Sequence, residues 1–326
     1  MNRKLLVIIA LIAIALIVAY RSQGWKFDWA LFFSSFKNVH LGWLFASILA
    51  TIATYFIRAI RWKVLLKPVK QIHMDSLLSA TLLGFSAIFI LGRPAEVVRP
   101  VWLSRREQLP FSASVSTIVV ERLLDFVMLV IMFGIAVLYA DFPATAHAAG
   151  PVEMMKTTAW ILLAVSVAGI AAMFIFRSNI DRITPRIPFK RVASLVHNFA
   201  QGLSFLEEGS SLRVTVFHSA TLWVVIALQF WFMMLGMRFD FSFLAATLVM
   251  VFVAIGSIAQ VPGIGGGFQA GFVFCLGTFF AVSPEKAVAA SLIAWVFSYA
   301  PTILIAAIYM LYSGLSLRDL RGLETT

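Results

Sequence analysis

Six ionisable side chains crowd into two short stretches of the chain. In "GRPAEVVRP", Arg93, Glu96 and Arg99 are spaced three apart, so on a helix they share a face. Pro94 lacks an N–H and suits a first helical turn. Glu96 in that turn is favoured by the helix dipole. Guanidinium forks on a half-helix at membrane depth make a two-pronged receptor for phosphate. The same residues would also suit a surface amphipathic helix whose arginines touch headgroups. In "VVERLLD", Glu121 and Asp125 are four apart and face the same way, while Arg122 reaches Asp125 at three. Charges inside a membrane segment are costly and mark a substrate path or an internal ionic staple.

A third stretch, "VPGIGGGFQAG", carries Gly263, Gly265, Gly266, Gly267 and Gly271, with Gln269 as its one polar side chain. Glycine lets backbone approach a ligand or another helix closely. A half-helix starting near Gly267 would aim free N–H groups at an anion. Arg58 and Arg61 in "FIRAIRWKVLL", with Arg105 and Arg106, read as headgroup contacts at the cytoplasmic surface. These sets form the candidate substrate-binding and headgroup-contacting residues.

The elements that must position them are membrane helices. Of 326 residues 61% are hydrophobic and only 13% charged, and the mean hydropathy is +0.94. A soluble domain is about a quarter charged. The chain reads as an all-α polytopic membrane protein, a single domain over 1–326 with no soluble domain. Its formal net charge of +11 points to anionic headgroups rather than nucleic acid. A lone cysteine, Cys275, precludes a disulfide within the chain, and five scattered histidines give no metal-ligand spacing. No cofactor is expected.

Apolar segments fall at 4–21, 41–60, 76–92, 112–140, 157–176, 214–236, 243–262, 264–282 and 286–312. The lysines and arginines after the second segment, in 177–213 and in the tail place those regions inside. Both termini are then cytoplasmic in a bacterial inner membrane. The connection 141–156, with two acids and one lysine, is outside. Parity follows. The chain is inside at Lys70 and must be inside again near Leu109, so 76–109 has to turn back. The same count makes 243–283 go in and return. About six spanning helices and two opposed re-entrant hairpins result, as in inverted-repeat transporters. The competing reading lets 76–92 cross and the charge rule fail once.

Enzyme chemistry finds no support: no nucleophile elbow, phosphate loop or zinc spacing is present. The chain is not expected to be an enzyme.

Taken in order, "FIRAIRWKVLL", "GRPAEVVRPVWLSRRE", "VVERLLD" and "VPGIGGGFQAG" resemble the lysylphosphatidylglycerol synthase transmembrane-region family, also called flippase-like. The resemblance covers nearly the whole chain. It implies movement of lipids between leaflets, among them aminoacylated phosphatidylglycerol and polyprenyl- or hopanoid-linked lipids. Two departures matter. The family's first hairpin usually reads like "PGRAGE", here "LGRPAE"; its glycine turn usually ends in Gly-Thr-Phe-Glu, where Gln269 here replaces the acid. The soluble aminoacyl-transfer domain of bifunctional relatives is missing from the sequence, so lipid synthesis is not expected.

The expectation is a flippase for an anionic or phosphate-bearing lipid, with membrane lipids as partners and room for a homo-oligomer or a lipid-enzyme partner. The alternatives are a non-transporting scaffold or accessory subunit of a lipid-modifying enzyme or glycosyltransferase, and a small-solute or ion transporter.

Overall fold

A computed structural model describes residues 27–143, 149–184, 188–189, 193, 196, 209–261 and 265–312. The expected first membrane helix at 4–21 and the basic tail lie outside these residues. The described chain is helical apart from one two-residue antiparallel pairing. Its elements are α1 Trp29–Ser34, α2 Leu41–Leu66, α3 Met74–Leu91, a 3-10 turn Arg93–Val97, and α4 Val98–Glu107. There follow α5 Phe111–Tyr139, α6 Ala149–Ser178, α7 Gly209–Gly236, α8 Phe243–Gly256, α9 Gly267–Phe280 and α10 Pro284–Tyr312. Among the described residues α2, α7, α10 and the Val152–Phe176 part of α6 are long and apolar enough to cross a membrane. Helix α5, at 29 residues, is about 43 Å long and carries its charges in its first half.

Local chemistry explains the breaks. Helix α3 stops at Gly92, whose φ of 84° is open to glycine but strained for other residues. Helix α8 starts on Ser242, whose side chain accepts from the Ala245 N–H at 3.2 Å, a serine N-cap. Pro284 opens α10, where a missing N–H costs nothing.

Helices α2 and α7 run antiparallel over most of their length: His40 N–H donates to the Gly236 carbonyl at 2.7 Å at one end, and Arg61 meets Ser219 near the other. Small and hydroxylated residues are buried along α2. The hydroxyls of Ser47, Thr51 and Thr54 all donate back to carbonyls of their own helix. Each is therefore buried with its donor satisfied, as close membrane helix contacts require.

The two short-helix pairs are antiparallel hairpins. Helix α4 returns along α3: Arg99 lies against Gly84, Arg106 reaches Asp75, and Lys70 Nζ donates to the Glu107 carbonyl at 2.6 Å. Helix α9 returns along α8: Gly267 lies against Gly256, Gly271 against Phe252, and the rings of Phe241 and Phe280 meet 4.6 Å apart at the open end. The second hairpin's turn pairs Gln260 and Val261 with Gly266 and Gly265. Both hairpin tips reach one residue of α10: the Phe89 ring lies 4.9 Å from Tyr299, tilted to it, and Phe268 lies 5.9 Å from it, edge-on.

Because the first hairpin closes on itself, its two ends should face one compartment. In a Cys275→Ala background, Gln71→Cys and Arg105→Cys are expected to react with an impermeant maleimide from the same side. Asp141→Cys and Asp240→Cys should react from the other. All four positions are exposed. Labelling of Arg105→Cys from the Asp240 side would show that α3 crosses.

Candidate functional site

The site is built where α4, α5 and α2 meet, with α7 closing it. Glu121 and Asp125, one turn apart on α5, turn into the protein and are buried. Each draws a guanidinium from a different helix. Arg99 of α4 grips Glu121 with two prongs, Nη1 to Oε2 and Nη2 to Oε1, the second at 3.1 Å. Arg61 of α2 donates from Nη1 to Asp125 Oδ1 at 2.6 Å and to Ser219 Oγ at 3.1 Å, and its Nε lies 3.8 Å from Glu121. Trp223 of α7 donates its indole N–H to Asp125 Oδ1 at 3.2 Å. Bidentate, charge-assisted bonds of this kind are the strong ones.

Aromatic rings frame the cations. The Arg99 guanidinium lies 3.8 Å from the Trp62 ring centre, and Trp62 donates to Thr117 Oγ1 at 2.9 Å. Arg58 lies 4.8 Å from the centre of the Phe85 ring. Cation–π attraction compensates part of the lost hydration. Gly84 makes the approach of α4 possible: a Cβ there would come within 2.7 Å of Arg99 Cβ.

A looser half lies outside this tight half. Arg58 Nη1 is 3.9 Å from Asp125 Oδ2, and Arg122 Nη2 is 3.4 Å from the same oxygen. Arg122 Nη1 is 3.6 Å from Glu96 Oε1. All three distances exceed a normal N–H···O bond. The side chains of Arg122 and Glu96 are 37% and 34% exposed, whereas those of Arg61 and Glu121 are fully buried. Among the described side chains, four arginines (58, 61, 99, 122) face three acids (96, 121, 125), a balance of +1.

This geometry corrects the sequence reading in two places. Arg61 is completely buried and Arg58 nearly so; neither lies at a surface to gather headgroups. The cause is that α2 runs to Leu66, not to residue 60, so both arginines sit inside the helix and turn onto the acids of α5. The first partner of Asp125 is Arg61, with Arg122, the partner that spacing on α5 suggests, second; Arg99 belongs to Glu121. Arg106 ties Asp75 and the Tyr309 hydroxyl at 2.6 and 2.7 Å. Arg105 is exposed on the same helix end. The cations that face outward near the end of α2 are Lys63 and Lys67, which line a hollow of about 610 Å3 with Gln71 and His73.

The remaining candidate residues lie in the two hairpin turns. Arg93 opens the 3-10 turn, but its side chain lies outside the described residues. Gly263 also lies outside them. Gly265 and Gly266 form the short strand, Gly267 begins α9, and Gln269 sits in its first turn. Among the described residues, the helix that follows this glycine turn meets the first hairpin through the rings about Tyr299.

Sequence reasoning missed Trp62, Trp223, Ser219 and Gly84. A signal existed for the main pairing: arginines three apart on one helix match acids four apart on another, each pair on a single face.

Comparison with curated proteins finds no match. The family model described as the lysylphosphatidylglycerol synthase TM region matches residues 5–306. That span takes in both hairpins and every charged residue of the cluster, and the chain belongs to this family.

Proposed function

We propose that the protein moves a phosphate-bearing, anionic lipid between the leaflets of a bacterial cytoplasmic membrane, with the Lys67 end of α2 inside. The supporting observation is the uneven charge cluster. Its inner half is tightly paired and holds α2, α4 and α5 together. Its outer half, Arg58, Arg122 and Glu96, is paired only at 3.4–3.9 Å, and Arg122 and Glu96 are partly exposed. Arginines held near acids without close hydrogen bonds can take a phosphate oxygen in exchange. In this reading both hairpins re-enter the membrane from opposite faces, and Lys63 and Lys67 gather headgroups at the inner surface. No covalent step is required of the chain.

The test is leaflet exchange of a fluorescent phosphatidylglycerol in proteoliposomes. Arg58→Gln and Arg122→Gln should each slow exchange about tenfold or more, since a charge-assisted hydrogen bond contributes roughly 1.5–3 kcal/mol. Both variants should remain folded, because neither removes a tight pair. Lys37→Gln, on an exposed turn, should exchange like the parent. Equal rates for all variants would remove the cluster from the transport path.

A second reading, a membrane scaffold for a lipid-modifying enzyme, draws on the tight half: Arg61, Arg99, Glu121 and Asp125 are buried and already paired. Failure of the parent protein to exchange any anionic or polyprenyl lipid would put that reading first.

A further inference from the structure

Between α5, α6 and the second hairpin lies an open cleft of about 550 Å3. Its walls include Phe126, Leu129 and Phe133 of α5, Met155 and Leu162 of α6, and Phe274 of α9. The hydroxyl of Thr158, also in the wall, is turned back onto the Met154 carbonyl at 2.8 Å. The cleft therefore offers hydrocarbon almost everywhere and suits neither water nor a polar solute. Helix α6 packs chiefly on α5, so the cleft is bordered on one side by a peripheral helix. Past the Phe133 end, Phe142 lies against Phe279 and Phe280, with ring centres 6.4 and 6.0 Å apart.

The near end is charged. Phe126, Leu129 and Phe133 stand four, seven and eleven residues after Arg122, so all four share one face of α5. Arg122 Nε is buried without a hydrogen-bond partner, and its two Nη atoms lie 3.4 and 3.6 Å from carboxylate oxygens. One stripe of helix thus joins an under-used guanidinium to an apolar slot, with about 16 Å from Arg122 to Phe133.

We infer that this stripe binds one lipid lengthwise, its phosphate on Arg122 and one acyl chain in the cleft, the chain running toward the Tyr139 end of α5. This rests on the reading of the protein as one that handles anionic lipid, and it adds a polarity. A headgroup at Arg122 with its tail toward Tyr139 has the orientation of a lipid from the leaflet on the Lys67 side. Arg122 is eleven residues from the start of α5, so the headgroup would be drawn roughly 16 Å along the helix.

The test uses the full chain in nanodiscs and two photoreactive probes with the same diazirine-bearing acyl chain, one phosphatidylglycerol and one diacylglycerol. The phosphatidylglycerol probe is expected to mark the cleft-wall residues Phe126, Leu129, Phe133, Met155 and Leu162 saturably. Arg122→Gln should cut that marking at least fivefold and leave diacylglycerol marking unchanged. Thr278→Phe, which fills the cleft wall, should remove marking by both probes. Should that variant fail to fold, the probe contrast between parent and Arg122→Gln still decides. The inference is overturned if Arg122→Gln changes nothing, or if marks fall as heavily on the outward residues Trp160, Ile161 and Val165, the result for annular lipid only. It is also overturned if cross-links show the cleft filled by residues 4–21 or by a second copy. Marking without leaflet exchange supports the site and removes the transport reading. Exchange without marking does the reverse.

Discussion

Glu121→Gln is expected to cost about 3–5 kcal/mol of stability, the usual loss when one partner of a buried ion pair is removed. The carboxylate serves two arginines: Arg99 with both prongs and Arg61 from 3.8 Å. An amide in its place keeps the shape but returns no charge. Among the described residues the buried Arg99 guanidinium is then left without a carboxylate, and Arg61 keeps only Asp125. Thermal unfolding of the detergent-purified protein, with folded yield from size exclusion, reads the effect. The double variant Glu121→Gln with Arg99→Met should recover a substantial part of the loss, because it removes a buried charge together with its counter-charge. That non-additivity is the specific signature of a pair. A Glu121→Gln protein that unfolds at the parent temperature would show that the arginines are compensated elsewhere.

Gly267→Ala should cost about 3 kcal/mol, at the upper end for overpacking, because the obstacle is backbone. A Cβ on Gly267 would collide with the Gly256 carbonyl and come within 2.9 Å of the Ala259 carbonyl. A Cβ on Gly256 would strike Gly267 in turn, and one on Gly271 would strike Phe252. Helices α8 and α9 thus touch main chain to main chain across three glycines, and no rotamer change relieves the clash. Gly277, on the same helix α9, has open space around its Cβ position. Gly277→Ala should be neutral or stabilising by up to about 1 kcal/mol, the ordinary helix preference for alanine. Parallel melting curves compare them directly. Equal melting of the two variants would mean that the helices stand further apart.

Why was so much of the architecture visible in the sequence, and so little of the site? Apolar runs bounded by prolines, glycines and basic clusters report helices directly, so the segment centres agree with the helices that the structure describes. Their ends are less visible. Helix α2 continues through Arg61, Trp62 and Lys63 to Leu66, because a charged residue inside a helix is tolerated when a neighbouring helix supplies its partner. That partner lies 64 residues away in the case of Asp125, and no local pattern encodes so distant a contact. Intra-helix spacing instead favoured Arg122, which does reach Asp125, but at 3.4 Å and from a partly exposed position. Rings are harder still: nothing in the order of residues announces that Trp62 lies beneath Arg99 or that Trp223 donates to Asp125. The glycine turn was read for its ligand-facing N–H groups. Its clearest visible consequence is instead the backbone contact between α8 and α9.

The tips of the two hairpins rest on Tyr299, two residues before Pro301 inside α10. Proline supplies no N–H to the carbonyl four residues earlier, so α10 bends most readily at that place. Work done on one tip is therefore shared with the other through a compliant joint. Any coupling between molecules bound at the two hairpins would be reciprocal, each changing the other's affinity by the same factor.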